Sequence, residues 1–457
     1  MILDDASEPV AVPLAPEARW VERLLWLFML SFALDYRAAV DREATSGTGW
    51  DQLVLLGLCG VAVAGLLLLG WKRLTVRPGA WMMLLWGGLL LFLTANAFLH
   101  QVAPSRSLRT GLPFGLLLAG MAAAHIAGCC GLRPSRIVAP VFAAACINIV
   151  WRIVQGFAFK GVTLDTVRVE VLSPATNWMA AWIGCSLLLR SRFHWTLLLG
   201  VAVLVLGIVV TVTRGLVFPV LASALASSIC YALGCRWGFF RWGALPKRLL
   251  PAGAVAAVMA VGIVIAAVGF PDLIERWNER LFHHAEDRNV ISDVSWLTRR
   301  AEAEDIMKIL REDRTRFLHG MGIGASYTWS QAYLPELHQV YPKEAELGQD
   351  VWFAGHSTWT YALFSGGIIG LLGHALLFGG TIFLSLRAAA ANARWNSPDI
   401  WLAFLPMVAT FCFLSESATS NPLYERLAGM TFGMMAGLPQ AFFIRASWRT
   451  ASSAAPA

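Results

Sequence analysis

Charge is what this 457-residue chain has least of. Asp, Glu, Lys and Arg make up 14% of it and hydrophobic residues 57%, whereas a soluble domain carries about 25% charge. That deficit excludes a cytosolic enzyme and a disordered chain. The eight cysteines (Cys59, Cys129, Cys130, Cys146, Cys185, Cys230, Cys235 and Cys412) all lie in apolar runs, so a disulfide scaffold is excluded too. The adjacent Cys129 and Cys130 read as packing residues rather than a metal site. Ten-residue segments of alternating polarity are missing, which argues against a β-barrel. Residues 1–16 are acidic and proline-rich and lack a basic start, so no signal peptide is evident.

The charge that is present is unevenly placed. The stretch 271–356 holds 15 of the 29 acids and 10 of the 36 bases. The basic excess elsewhere sits in short loops between apolar runs, so nucleic acid is not an expected partner. Runs long enough to cross a bilayer as helices, which takes about 20 residues each, recur near 21–39, 52–70, 80–98, 110–131, 137–157, 176–190, 195–213, 215–235, 251–270, 358–386, 399–415 and 426–444. The sequence thus predicts an all-α polytopic membrane protein with about 12 transmembrane helices and one large, partly helical external loop. Its expected parts are an N-terminal tail 1–20, helices one to nine over 21–270, the loop domain 271–356, helices ten to twelve over 357–444 and a C-terminal tail 445–457.

The Lys/Arg bias of short loops sets orientation. Lys72, Arg73, Arg77, Arg133, Arg136, Arg190, Arg192, Arg236, Arg241, Lys247, Arg248, Arg387 and Arg394 fall in alternate turns, and Arg445 and Arg449 in the C-terminal tail. Those turns and both termini are expected to be cytoplasmic, which puts 271–356 outside. Within it, 296–318 reads as one amphipathic helix with Trp296, Ala303, Ile306, Met307 and Leu310 on its apolar face, and Arg299, Glu302, Asp305, Arg311 and Glu312 elsewhere. Gly320, Gly322 and Gly324 then form a tight turn that lacks the strand-before, helix-after setting of a dinucleotide fingerprint. His356 stands at the external mouth of the tenth span, followed by Gly366-Gly367-Ile368-Ile369-Gly370.

These features, in this order, resemble the superfamily of bacterial O-antigen ligases and Wzy-type O-antigen polymerases. The glycine turn and the His356 to Gly370 segment carry most of the resemblance. Arg299 with Ala303, Ile306, Met307 and Leu310 is similar to the family's arginine-led helix. Thr213-Arg214-Gly215 looks like its Ser/Thr-Arg-Gly motif, and Arg168 with Ser173-Pro174-Ala175-Thr176-Asn177 resembles the loop before its sixth helix. Ser357 and Ala303 depart from the residues common there, Asn and Trp.

The resemblance implies a GT-C-like membrane glycosyltransferase of the bacterial inner membrane that works on the periplasmic side. Its donor is a glycan on undecaprenyl pyrophosphate. Its acceptor is a lipid A–core sugar hydroxyl in a ligase, the favoured reading, or a second lipid-linked glycan in a polymerase. No ATP is available there, so the glycosyl–pyrophosphate bond drives the reaction. A base must take the hydroxyl proton and fixed cations must stabilise the leaving pyrophosphate. His356 is the expected general base and Arg214 and Arg299 the pyrophosphate clamp, with Arg168 and Arg300 as substrate-binding residues. No cofactor or metal is expected. Glu302, Glu304 and Asp305 are the one tight acidic cluster, and a solvated helix face accounts for it. His283, His284, His319 and His338 lack metal-ligand spacing. A transporter or flippase is the remoter alternative; it would want broken helices, inverted repeats and midplane ionisable residues, and few are legible beyond His125 and His374.

Overall fold

The structure, a computed structural model, describes residues 14–36, 50–163, 167, 171–190, 194–282, 294–330, 332, 353, 355–393, 399–417 and 420–454. Among these residues every regular element is helical. The helices are α1 (Ala18–Ser31), α2 (Trp50–Gly70), α3 (Ala80–Leu99), α4 (Pro104–Cys129), α5 (Pro134–Val154), α6 (Thr176–Leu188), α7 (Trp195–Thr211) and α8 (Val217–Arg236). They continue as α9 (Leu245–Gly269), α10 (Pro271–Phe282), α11 (Val294–Arg311), α12 (Arg314–His319), α13 (Thr358–Ala391), α14 (Leu405–Ser417), α15 (Arg426–Gly437) and α16 (Pro439–Ala454).

Among the described residues, eight helical segments are long and apolar enough to cross a membrane: α2, α3, α4, α5, α8, α9, α13 and the continuous pair α15–α16. The other four expected runs also fold as helices. They are shorter, at 14 residues for α1, 13 for α6, 17 for α7 and 13 for α14. The bundle turns apolar side chains outward: Leu68, Leu84 and Leu91 are 80%, 75% and 73% exposed. Water would penalise such a belt, and hydrocarbon does not.

Inside the bundle, packing depends on small residues. Gly429, Gly433 and Gly437 recur every fourth residue along α15 and lie against the Pro113, Leu117 and Met121 carbonyls of α4. A Cβ on Gly433 would sit 2.1 Å from the Leu117 oxygen, so only glycine allows this approach. Phe142, Trp178, Trp182 and Trp401 form an aromatic cluster between α5, α6 and the turn before α14, with Trp178 stacked on Trp182 and Trp401 edge-on to it. All eight cysteines are free thiols.

The two ends of the bundle differ chemically. At one end Arg73 pairs with Glu17, Arg136 with Glu22 at 3.1 Å, and Arg190 and Arg248 lie over Trp401 and Phe240. At the other, Asp35, Gln52, Asn148, Arg152, Asn177 and Arg426 are polar and nearly fully buried. Helices α10 to α12 belong to this second end.

The expected helix over 296–318 is two helices. The Asp313 carboxylate accepts from the Thr315 amide at 2.8 Å and from its hydroxyl at 2.7 Å, so a new N-terminus begins there. Helix α10 occupies what the sequence shows as a polar stretch, with Pro271 at its first position, where no amide donor is needed. The helix starting at Pro439 runs to Ala454, past the point where a tail was expected.

Candidate functional site

The site is built on the joint between α12 and α13. Helix α13 has one non-helical residue, Gly367, at φ +61° and ψ −152°. This break leaves the Phe364 and Ser365 carbonyls to other donors: Met321 N and Gly322 N reach them, each at 2.8 Å. Gly320, at φ +72°, makes the contact possible from the other side, because a Cβ there would lie 2.5 Å from the Gly366 and Gly367 nitrogens. On α3, Asn96 Nδ2 donates to the His319 carbonyl and, at 3.1 Å, to that of Gly320. The two glycine motifs of the sequence thus interlock and fix the external segment to a membrane helix.

That anchoring sets α11 across the N-terminus of α13, with Leu297, Ala301, Ile306 and Leu310 buried beneath it. Glu302 shares this inner face and is 1% exposed. Its Oε1 accepts from the His356 amide at 3.0 Å, and its Oε2 from His356 Nδ1 at 2.6 Å. Tyr327 adds a hydrogen bond to the same carboxylate. Burial first, then the Glu302 charge, holds the Tyr327 phenol well above its usual range, so it stays a donor. An isolated buried carboxylate would cost several kcal/mol; here it meets donors from His356 and Tyr327.

This corrects the reading of Glu302 and Asp305 as a solvated face. Asp305 is half-buried and accepts from Thr328 N at 2.9 Å and from its hydroxyl at 3.2 Å; Glu304 alone of the three is exposed. The apolar face is rotated from the expected one: burying Leu297 and Ala301, with Ala303 only half-buried, brings Glu302 inward. With Nδ1 donating to Glu302, Nε2 is the acceptor nitrogen of the half-exposed His356 ring.

On its other flank His356 is continuous with a polar layer. Ser357 Oγ donates to the Ser417 carbonyl at 3.2 Å, Trp359 Nε1 to Ser417 Oγ at 2.9 Å, and Thr358 N to the Ser420 carbonyl at 3.2 Å. Ser420 Oγ donates to Glu416 at 2.8 Å, and Asn177 donates to the same carboxylate. Arg152, 1% exposed at the end of α5, donates to the Leu172 carbonyl and lies 3.9 Å from Glu425. Arg426 donates to Gln52 and lies 3.8 Å from Asp35. A five-residue π-turn, Gln155–Phe159, begins three residues after Arg152; such turns recur at functional sites.

The sequence-predicted residues fall as follows. Arg299 is half-buried on α11, one turn before Glu302, and so is close in the chain to the His356 partner. Arg300 is exposed and 3.9 Å from Glu304 of the same helix. Arg214 opens the short turn Arg214–Leu216 between α7 and α8. The residue two before it, Val212, is buried at φ +48°, a conformation that β-branched side chains rarely adopt. Val212 packs with Val167 and Val171, and Gly207 five residues earlier faces Thr176, so the turn that Arg214 opens lies at the same end of the bundle as Asn177 and its partner Glu416. Arg168 lies outside the described residues, as do His283, His284 and His338.

Among the described residues no three His, Cys, Asp or Glu side chains group so as to hold a metal ion. Sequence reasoning missed Glu302 as a histidine partner and missed the whole 416–426 segment. Two carboxylates and an arginine at the edge of an apolar run, Glu416, Glu425 and Arg426, were the available signal. No model of a known protein family matches the chain, and no curated protein matches it either.

Proposed function

We propose that the protein is an O-antigen ligase, a membrane glycosyltransferase that moves a glycan from undecaprenyl pyrophosphate to a sugar hydroxyl of lipid A–core. The Glu302–His356 pair, held at the mouth of a membrane helix by interlocked glycines, is the observation that carries this reading. In it the four shorter helices cross as well, giving twelve spans of GT-C-like form in the bacterial inner membrane, with the pair on the periplasmic side.

Chemically, the acceptor oxygen attacks the anomeric carbon while its proton passes to His356 Nε2. The carbon–oxygen bond to pyrophosphate breaks, its electron pair leaves with the phosphate, and configuration inverts. Glu302 holds the imidazole so that Nε2 faces the acceptor, and it opposes the positive charge the ring gains. Arg214 and Arg299 offer guanidinium groups to the departing pyrophosphate, and Arg168 and Arg300 hold the donor outside the reacting bond. Losing one well-placed cation of this kind costs about 100- to 1000-fold in rate.

Purified protein given lipid-linked glycan and lipid A–core should form product without added metal. His356→Ala, Arg214→Ala and Arg299→Ala should each lose most of that product, and normal product from all three would end the proposal. In a deletion strain, full-length glycan accumulating on the carrier lipid supports the ligase. Core bearing a single repeat unit would mean a polymerase instead.

A further inference from the structure

At the arginine-rich end of the bundle, far along the helices from His356, a cavity of about 1020 Å³ lies between α2, α3 and α4. Its walls are hydrocarbon: Leu66 of α2, Met83 of α3, and Leu118 and Ala122 of α4 among them. It follows α4 over 115–126, about 16 Å at 1.5 Å per residue. Its apolar rim faces outward, with Leu67, Trp81 and Leu84 38%, 38% and 75% exposed. The cavity therefore opens sideways, towards lipid.

Two cations close its end. Arg77 follows the turn after α2, and Arg387 comes from the last turns of α13, where its guanidinium lies 5.7 Å from the Phe383 ring. Both are exposed, and among the described residues none that lines the cavity is acidic. A long apolar slot open at its side, capped by two guanidinium groups at the ends of its helices, matches one ligand chemistry: acyl chains joined to an anionic phosphate diester.

We propose that this groove binds an anionic phospholipid of the leaflet at the arginine-rich end, with its phosphate between Arg77 and Arg387 and a chain along α4. The site is separate from the His356 centre and does not depend on the reaction assigned to it. Gly115 offers a direct probe: it lines the groove, and a Cβ there meets nothing within 4 Å. A larger side chain can enter the slot without displacing protein.

Native mass spectrometry of the full chain, titrated with phosphatidylglycerol and with phosphatidylcholine of the same chains, tests this. The wild type should take up one phosphatidylglycerol in preference to phosphatidylcholine. Each arginine removed should weaken phosphatidylglycerol roughly fivefold, so that Arg77→Gln/Arg387→Gln abolishes the preference. Gly115→Phe should reduce binding of both lipids, while both variants keep the wild-type melting temperature in detergent. Equal binding of the two lipids by the wild type, or a preference that survives the double arginine variant, would overturn the proposal. So would lipid binding unaffected by Gly115→Phe, or a dimer without lipid, which would assign the groove to a second copy of the chain.

Discussion

Replacing Glu302 by glutamine keeps a hydrogen-bonding side chain beside His356 Nδ1 but removes its charge. In the proposed transfer reaction this should lower kcat roughly 10- to 100-fold with little change in the donor KM, because Glu302 positions the base and does not touch donor. His356→Ala should cost more, about 100- to 10,000-fold. Equal losses in kcat and donor affinity for Glu302→Gln would instead make it a structural residue. Asp313 gives a pH test outside the membrane. The Thr315 hydroxyl and then its amide hold the Asp313 carboxyl below its usual range. Its contribution to α12 is therefore complete above the ordinary carboxylate pKa of about 3.9 and is lost as pH falls through the lower folded value. Hydrogen-exchange protection of the Phe317 and Gly320 amides should fall in acid, and Asp313→Asn should remove that dependence. His356 was legible from its place between glycine motifs and an apolar run. Its partner was not, because a helical face is assigned by periodicity, and a one-residue rotation of that face moves Glu302 from solvent to core.

At the scale of elements, the joint between Gly320 and Gly367 is the most sensitive feature. Gly320→Ala and Gly367→Ala each place a Cβ within 2.5 Å of backbone, the latter 2.3 Å from the Leu318 carbonyl, at positive φ. Each should destabilise the protein by roughly 1–3 kcal/mol or more, seen as a lower melting temperature in detergent and a matching loss of transfer. Gly243→Ala, with nothing within 4 Å, should behave as wild type; a similar fall there would mean that glycine replacement is harmful in general. The apolar runs announced where helices lie because hydrocarbon demands internal hydrogen bonding of every backbone group. The Gly367 kink was not announced, since it depends on donors from Met321 and Gly322, more than forty residues away. The break at Asp313 was written locally, as an acid two residues before Thr315, but a continuous amphipathic pattern hid it.

For the whole molecule, the division into a basic end and a buried polar end follows the loop charges that set the expected orientation. Exposed Glu304 and Arg236 lie at opposite ends. Cysteines placed at these two positions should react with an impermeant maleimide from opposite sides of the membrane, the first from outside. Labelling of both from one side would reject the arrangement. The charge asymmetry was legible because short loops carry it. The polar layer through Arg152, Glu416 and Arg426 was not, since these residues belong to the ends of separate apolar runs and only packing unites them.

The glycine joint has a further consequence for a severed chain. Met321 to Phe364, Gly322 to Ser365 and Glu302 to His356 tie the part before residue 331 to the part after 352, and the α4–α15 glycine packing and the Asn177–Glu416 bond tie the same two parts further along the helices. None of them runs through the intervening peptide. Two fragments divided in that interval and coexpressed should therefore co-purify as one complex, and Gly320→Ala in the first fragment should lower the melting temperature of that complex without releasing the second.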